Sequence, residues 1–334
     1  MSWKSRLGAP PIRPVRLDIE EFELAGCPPL LDGNDYAVAP RRSVLDKLLV
    51  DAAVEAGAEL LEDCYIGELL TEAGRVTGVR GRTSTGAVVA EKARLVIGAD
   101  GRRSLVAHAV RAPKCNAQPS TYSAYYAYWR GGPALSDFEI CWRTAFAGVA
   151  FPTNDGLVCI AGVRTDSFPG PNTRPEESYR RFMEQVPRAA EFLDKAEQVE
   201  PVIGVRDLPG YFRKAYGDGW ALVGDARYCR HPLAAQGIVD AFRGADLLSK
   251  AIEDGFSSSG DLNAALAHYE RRRNEAVMPI YESICERARL EPFLPELIAL
   301  FRIDITGVKP IRSSALVLGP YRSPSCLRRR MWNV

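Results

Sequence analysis

The stretch Trp220–Leu248, WALVGDARYCRHPLAAQGIVDAFRGADLL, constrains the fold more than any other. Trp220-Ala221-Leu222-Val223 is an apolar run of strand length. It stops at Gly224-Asp225, a turn that leaves a carboxylate at the strand's C-terminal end, where open α/β sheets bind ligands. A loop containing Pro232 follows, then Ala235-Gln236-Gly237 and a helical pattern. Ile238, Ala241, Phe242, Ala245 and Leu248 recur at three- and four-residue steps, which predicts one apolar face. A strand thus delivers an acid, and a small-residue turn opens a helix whose free N–H groups point to the same place. Helix N-termini favour negative charge and anionic oxygens.

Gly224, Asp225, Ala226, Pro232, Gln236 and Gly237 stand at the spacing of the pattern Gly-Asp-Ala-x-His-x-x-x-Pro-x-x-Gly-Gln-Gly followed by a helix. The stretch resembles the second FAD fingerprint of the flavoprotein monooxygenases related to p-hydroxybenzoate hydroxylase. Tyr228 stands where His is common and Ala235 where the first Gly is usual, and Arg227 is bulkier than the small residue usual there. Upstream, the apolar run Leu95-Val96-Ile97 stops at Gly98-Ala99-Asp100-Gly101, with Ser104 and Val106 after it. This resembles the family's Asp-Gly fingerprint, with Ala107 in place of its closing Arg. Alone it reads as a tight turn with a capping Asp; two fingerprints in the family's order weigh against coincidence.

Ser43–Ala56 is predicted as a helix with Leu45, Leu48, Leu49, Ala52, Ala53 and Ala56 on one face. Ser43 and Asp46 make a capping-box pattern, and Gly57 makes a stop. Arg41 and Arg42 precede it. By position they are a solvated pair; the resemblance implies that Arg42 reaches the FAD pyrophosphate, since a guanidinium binds phosphate oxygens bidentately.

Before that helix the sequence shows Pro10, Pro11 and Pro14, which exclude a helix there. Val15–Ile19 and Glu21–Leu24 alternate as strands do. No strand, G-x-G-x-x-G and helix unit is found, although the resemblance implies one; the expectation is a family member lacking its N-terminal dinucleotide-binding βαβ unit. Short strands are predicted at 59–61, 65–70, 76–82 and 88–91. Between 119 and 165, Tyr122, Tyr125, Tyr126, Tyr128 and Trp129 crowd one strand, and 138–142, 145–151 and 157–163 read as others around the turn Asn154-Asp155-Gly156. Alternation separates Tyr122, Tyr126 and Tyr128 from Tyr125 and Trp129, so one set alone can face a ligand. Helices are expected at 175–185 and 188–196, a strand at 199–205, and a long helix from Asp261 to about Arg289 with Arg271-Arg272-Arg273 on a solvated face. From Ile303 the pattern dissolves into a basic tail.

Net charge of +1 gives no argument for nucleic acid. Cysteines at 27, 64, 115, 141, 159, 229, 285 and 326 form no C-x-x-C, which fits reduced thiols and a cytoplasmic setting better than a disulfide frame or a zinc site. No apolar run reaches the length of a membrane span. His108, His231 and His268 are isolated; His231, beside Pro232, is the one worth testing.

The resemblance implies an α/β fold. It consists of a Rossmann-like three-layer FAD-binding domain (residues 1–112 and 207–300) with an inserted antiparallel substrate-domain sheet (113–206) and an irregular tail (303–334). It implies FAD as cofactor, NADH or NADPH as reductant, and O2 and a small organic molecule as substrates. A C4a-hydroperoxyflavin would insert one oxygen into the substrate. Expected cofactor contacts are Arg42, Asp100, Gly101, Gly224, Asp225, Pro232, Ala235, Gln236, Gly237, Ile238 and Val239. Asp225 would accept from ribityl hydroxyls, and the N–H groups of residues 237–239 would hold the anionic edge of reduced flavin. No protein nucleophile or metal is expected, and no catalytic residue is singled out. Two alternatives remain: a flavin reductase of the geranylgeranyl reductase type, or an inactive relic that does not bind FAD.

Overall fold

A computed structural model of the chain describes residues 6–19, 22–27, 36–119, 123–164, 174–206 and 208–291. Tyr122 and the basic tail lie outside the described residues. The described residues of 1–59, 121–207 and 287–319 form one compact unit, and those of 60–120 and 208–286 form the other. The boundaries differ from those expected because Val15–Ile19 pairs in parallel with Phe138–Arg143, which ties the front of the chain to the large sheet.

In the first unit the described strands form one eight-stranded sheet. The order is Ala196–Gln198, Ser123–Gly131, Leu157–Arg164, Phe146–Pro152, Phe138–Arg143, Val15–Ile19 and Phe22–Gly26, with Ile203–Val205 also on Ser123–Gly131. The expected strand at 199–205 is therefore two short ones. Asn154–Gly156 makes the expected turn, with Asp155 in the left-handed region at φ 61°.

Alternation sorts the aromatics of Ser123–Gly131. Tyr125 and Trp129 are buried beneath helices Pro175–Gln185 and Pro187–Lys195, each of which opens on the proline that suits a first helical turn. Trp129 Nε1 donates to Tyr179 Oη at 3.0 Å, and Tyr179 Oη donates to the Ile160 carbonyl at 3.0 Å, so the polar ends of this core are satisfied. Phe182 sits over Gly162, where a Cβ would come within 2.2 Å of its ring. Tyr126 and Tyr128, on the opposite face, are half-buried.

The N-terminal helix runs Arg42–Glu55 with Arg41 as its cap residue and no side-chain cap hydrogen bond. The expected capping box is absent because the helix starts earlier, with Arg41 and not Ser43 as its cap residue; Asp46 pairs with Arg42 instead. None of this helix's residues is buried. The expected strand at 59–61 is also absent; the chain there is irregular up to Cys64.

The second unit is built around a parallel pair, Val96–Gly98 and Trp220–Leu222, with Tyr216–Gly217 antiparallel on the far side. Period-two alternation makes this pair the middle of three layers. Trp220 and Leu222 pack with Val76, Val96 and Val106, toward the antiparallel sheet of Cys64–Glu72, Arg75–Thr83 and Val88–Lys92. Ala221 and Val223 pack with Leu248, Ala251, Leu266 and Tyr269, toward helices Gly237–Phe256 and Leu262–Arg287. Tyr269 Oη donates to the Leu222 carbonyl at 2.9 Å, which pins the long helix to the strand.

The buried stripe of Gly237–Phe256 is not the expected one. It runs through Asp240, Gly244, Leu248, Ala251 and Gly255, while Ile238 and Phe242 are 43% and 46% exposed. The cause is close approach: a Cβ on Gly244 would lie 3.3 Å from Val223 Cγ2, so the helix packs through its smallest residues.

Candidate functional site

The parallel register, Trp220 with Val96 and Leu222 with Gly98, sets both fingerprints at the same end of the sheet. Val223 N donates to the Gly98 carbonyl at 3.0 Å and carries the pairing one step further. Beyond that point the chains part, one into Asp100-Gly101 and the other into Gly224-Asp225. Gly101 and Gly224 both have positive φ, 75° and 60°, so both turns need the left-handed region that glycine occupies without strain.

The two aspartates are used differently. Asp100 Oδ2 accepts from Leu105 N at 2.7 Å and from Val106 N at 3.3 Å, and so caps the short helix Leu105–Ala109. Asp225 is solvent-exposed at the mouth of the second turn.

After Asp225 the chain makes a short strand, Tyr228–Cys229, and a single helical turn, Pro232–Ala234. The His231 ring is buried and its Nδ1 accepts from Leu233 N at 3.0 Å, capping that turn. Burial alone lowers its pKa to about 3, so the imidazole is neutral at neutral pH. Ala235 follows in the left-handed region at φ 50°, which is why a glycine suits this position. Gln236 is the cap residue of Gly237–Phe256 but gives no side-chain cap hydrogen bond, so its side chain does not take the first-turn N–H groups of Gly237, Ile238 and Val239. A Cβ on Gly101 or Gly237 would meet nothing within 4 Å, so a ligand can come close to the backbone at both points.

A buried charge cluster lies behind this turn, and the sequence reading missed it. Arg230 Nη2 donates to Gln236 Oε1 at 2.8 Å and lies 2.9 Å from Asp240 Oδ2; the Arg230 and Asp240 side chains are 4% and 7% exposed. Arg271 and Arg272 are exposed, as expected of a solvated face, but Arg273 is buried with its guanidinium 4.3 Å from the Tyr228 ring centroid, which corrects the expectation at that position. The signal was available: Tyr269, Arg273 and Val277 follow at four-residue steps along the buried face of the long helix.

Arg42 belongs to the other compact unit. It is largely exposed and its guanidinium is bidentate to Asp46, at 2.8 and 2.9 Å. Asp100, Gly101, Gly224, Asp225, Pro232 and residues 235–239 all fall within the second unit. A cavity of about 430 Å³ in that unit is lined by Leu69, Val76, His108, Val110 and Trp220 among others, and by none of the expected contacts. Among the described residues there is no cluster of three or more metal-ligating side chains and no helix long and apolar enough to cross a membrane.

Residues 29–283 match the family described as FAD binding domain, so the chain belongs to that family. Its curated relatives include the digeranylgeranylglycerophospholipid reductase of Methanothrix thermoacetophila, 26% identical over 73% of this chain and 62% of that protein. Another is digeranylgeranylglycerophospholipid reductase 2 of Methanopyrus kandleri, 31% identical over 73% of this chain and 61% of that protein. The chain thus spans about three fifths of the length of these relatives. Among solved structures, the FAD-dependent chondrochloren halogenase of a myxobacterium superposes with a TM-score of 0.74 at 20% identity, covering 96% of this chain and 80% of the other. A probable FAD-dependent monooxygenase of Pseudomonas aeruginosa gives 0.64 at 18% identity, covering 85% and 80%. At these identities the structural likeness establishes the fold.

Proposed function

We propose that this chain binds FAD at the paired turns of its second unit and acts as an NAD(P)H-dependent monooxygenase on a small organic substrate. One observation carries the reading. The register of Val96–Gly98 with Trp220–Leu222 sets a solvent-exposed carboxylate, two glycine backbones with space beside them and the N-terminus of a 20-residue helix, whose cap residue gives no side-chain hydrogen bond, within one unit. That donor and acceptor set fits a ligand with both hydroxyl groups and an anionic edge, which FAD provides. Asp225 accepts from ribityl hydroxyls. The N–H groups of Gly237, Ile238 and Val239 hold negative charge with the help of the helix dipole. Gly101 and Gly237 admit the cofactor to backbone distance, and Pro232 and Ala235 fix the path between carboxylate and helix. Asp100 acts indirectly, by holding the Gly101 turn on its capped helix. Bound FAD would supply hydride acceptance from the nicotinamide and electron delivery to O2.

A second reading is a flavin reductase of the prenyl-lipid type, favoured by relatives named as digeranylgeranylglycerophospholipid reductases at 26–31% identity. The test begins with the visible spectrum of the purified chain after FAD loading and desalting. Retained flavin bands support the cofactor reading; their absence in this chain and in a longer form supports the inactive relic. With flavin retained, O2 uptake matched by hydroxylated product supports the monooxygenase, and anaerobic saturation of a prenyl double bond supports the reductase.

A further inference from the structure

Around the first turn of the Gly237–Phe256 helix, two buried guanidiniums, Arg230 and Arg273, and the partly exposed Arg243 face one buried carboxylate, Asp240. Arg230 uses Nη2 on Gln236 and Asp240, while its Nε and Nη1 are buried without a hydrogen-bond partner. Asp240 is also held by Arg243 Nη1 at 3.3 Å. Arg273, stacked on Tyr228, is a third cation acting on the same carboxylate. The next acid along, Glu270, is engaged elsewhere: it accepts from Ala215 N at 2.8 Å and pairs with Arg227 at 3.3 Å. One carboxylate therefore faces Arg230, Arg243 and Arg273. A buried guanidinium with unfilled donors is costly unless an anion arrives to share it. The helix N-terminus adds about half a positive charge at the same place.

We infer that Arg230 is a charge-positioning residue of the cofactor site: tied to the cap residue Gln236 and to Asp240, it prepares this helix end for the negative charge that FAD gains on reduction. The inference rests on the flavin reading above. A chain with this arrangement holds reduced FAD more tightly than oxidised FAD, and Asp240 sets how much of the Arg230 charge is felt. An Arg230 that serves a charge already present in both redox states, such as a phosphate, would strengthen both forms alike.

The experiment measures the dissociation constants of oxidised and anaerobically reduced FAD for the full chain and for Arg230→Gln, Arg230→Lys and Asp240→Asn. For Arg230→Gln the preference for reduced over oxidised FAD is expected to fall about tenfold, about 30 mV to lower potential for a two-electron couple. Asp240→Asn is expected to raise that preference, and Arg230→Lys to hold it within about threefold. A preference unchanged in both charge-altering variants, a shift of both in one direction, or equal weakening of the two redox forms overturns the inference and leaves a structural Arg230. Should Arg230→Gln fail to fold, Asp240→Asn decides by its sign: a rise supports, no change or a fall overturns. Failure of the wild-type chain to bind FAD in either state removes the flavin reading and this inference together; FAD binding with an unmoved preference removes the inference alone.

Discussion

The two aspartate turns begin alike and end with opposite uses. Each follows a three-residue strand of the same parallel pair, and each opens on a glycine at positive φ or has one beside the acid. After Asp100 a helix starts almost at once, and its N–H groups at Leu105 and Val106 fall onto the carboxylate, while Ser104 Oγ accepts from Ala107 N at 2.9 Å. After Asp225 the next long helix waits until Gly237, and the intervening loop is filled by a buried strand and a histidine-capped turn. The first carboxylate is consumed by its own chain. The second is solvent-exposed, followed at a distance by a helix whose cap residue gives no side-chain hydrogen bond. The length of chain between strand end and helix start separates an aspartate that caps the helix following it from one that stands apart from the helix following it.

The strongest way to break that comparison is to remove each carboxylate. Asp225→Ala is expected to weaken FAD binding by roughly 1.5–3 kcal/mol, the range for hydrogen bonds to a charged group, or about ten- to a hundredfold in Kd. Its melting temperature without FAD should barely move, because the residue is exposed. Flavin fluorescence titration beside a thermal melt checks both. A variant that loses stability and keeps FAD would make Asp225 the structural member of the pair.

The loop that delays the second helix depends on a neutral His231. Burial depresses its pKa from 6.5 to about 3, so the unfolded chain binds the extra proton between those values. The sign follows: the histidine's contribution is complete above about pH 6.5 and is lost as the pH falls toward 3. Relative to His231→Gln, the wild type should lose about 2 kcal/mol between pH 7.5 and 5. Denaturant melts of both proteins at the two pH values check it, and parallel pH profiles would show that the ring is not held neutral.

Asp100→Ala should cost less, about 1 kcal/mol as for other lost N-terminal caps, with FAD affinity changed by less than about threefold. A loss of FAD affinity as large as that of Asp225→Ala would erase the distinction between the turns.

The strand, turn and helix of Trp220–Leu248 were legible because local pattern dictates them, and so was the tight turn with a capping Asp at Gly98–Gly101. The face that Gly237–Phe256 buries was not. Apolar periodicity favoured Ile238 and Phe242, but packing distance favoured Gly244 and Gly255, and backbone approach is a tertiary property. The same holds for Asp46, which the pattern Ser43-x-x-Asp46 assigned to a capping box and the structure gives to Arg42. Arg230 and Asp240 are charged residues with no apolar signature of their own, while Arg273 is marked by the spacing of Tyr269 and Val277; the Tyr228 ring lies against Arg230 and Arg273, a tertiary contact that local pattern does not show.

The smallest effect tests the backbone between the two halves of the second turn. Ala235 sits at φ 50° with its N–H donating to the Pro232 carbonyl at 2.8 Å. A left-handed residue with a Cβ carries about 1–2 kcal/mol of strain, and a glycine relieves it while adding about 0.5–1 kcal/mol of chain entropy on folding. Ala235 is exposed, so its methyl packs against little and its loss removes no core contact. The balance predicts that Ala235→Gly stabilises the chain by about 0.5–1 kcal/mol, read as a rise in melting temperature. Asp100 and its turn lie outside this strain, so the gain should persist in an Asp100→Ala background and add to it, as independent sites do. A gain that vanishes in that background would couple the two turns through the parallel pair and make them one element.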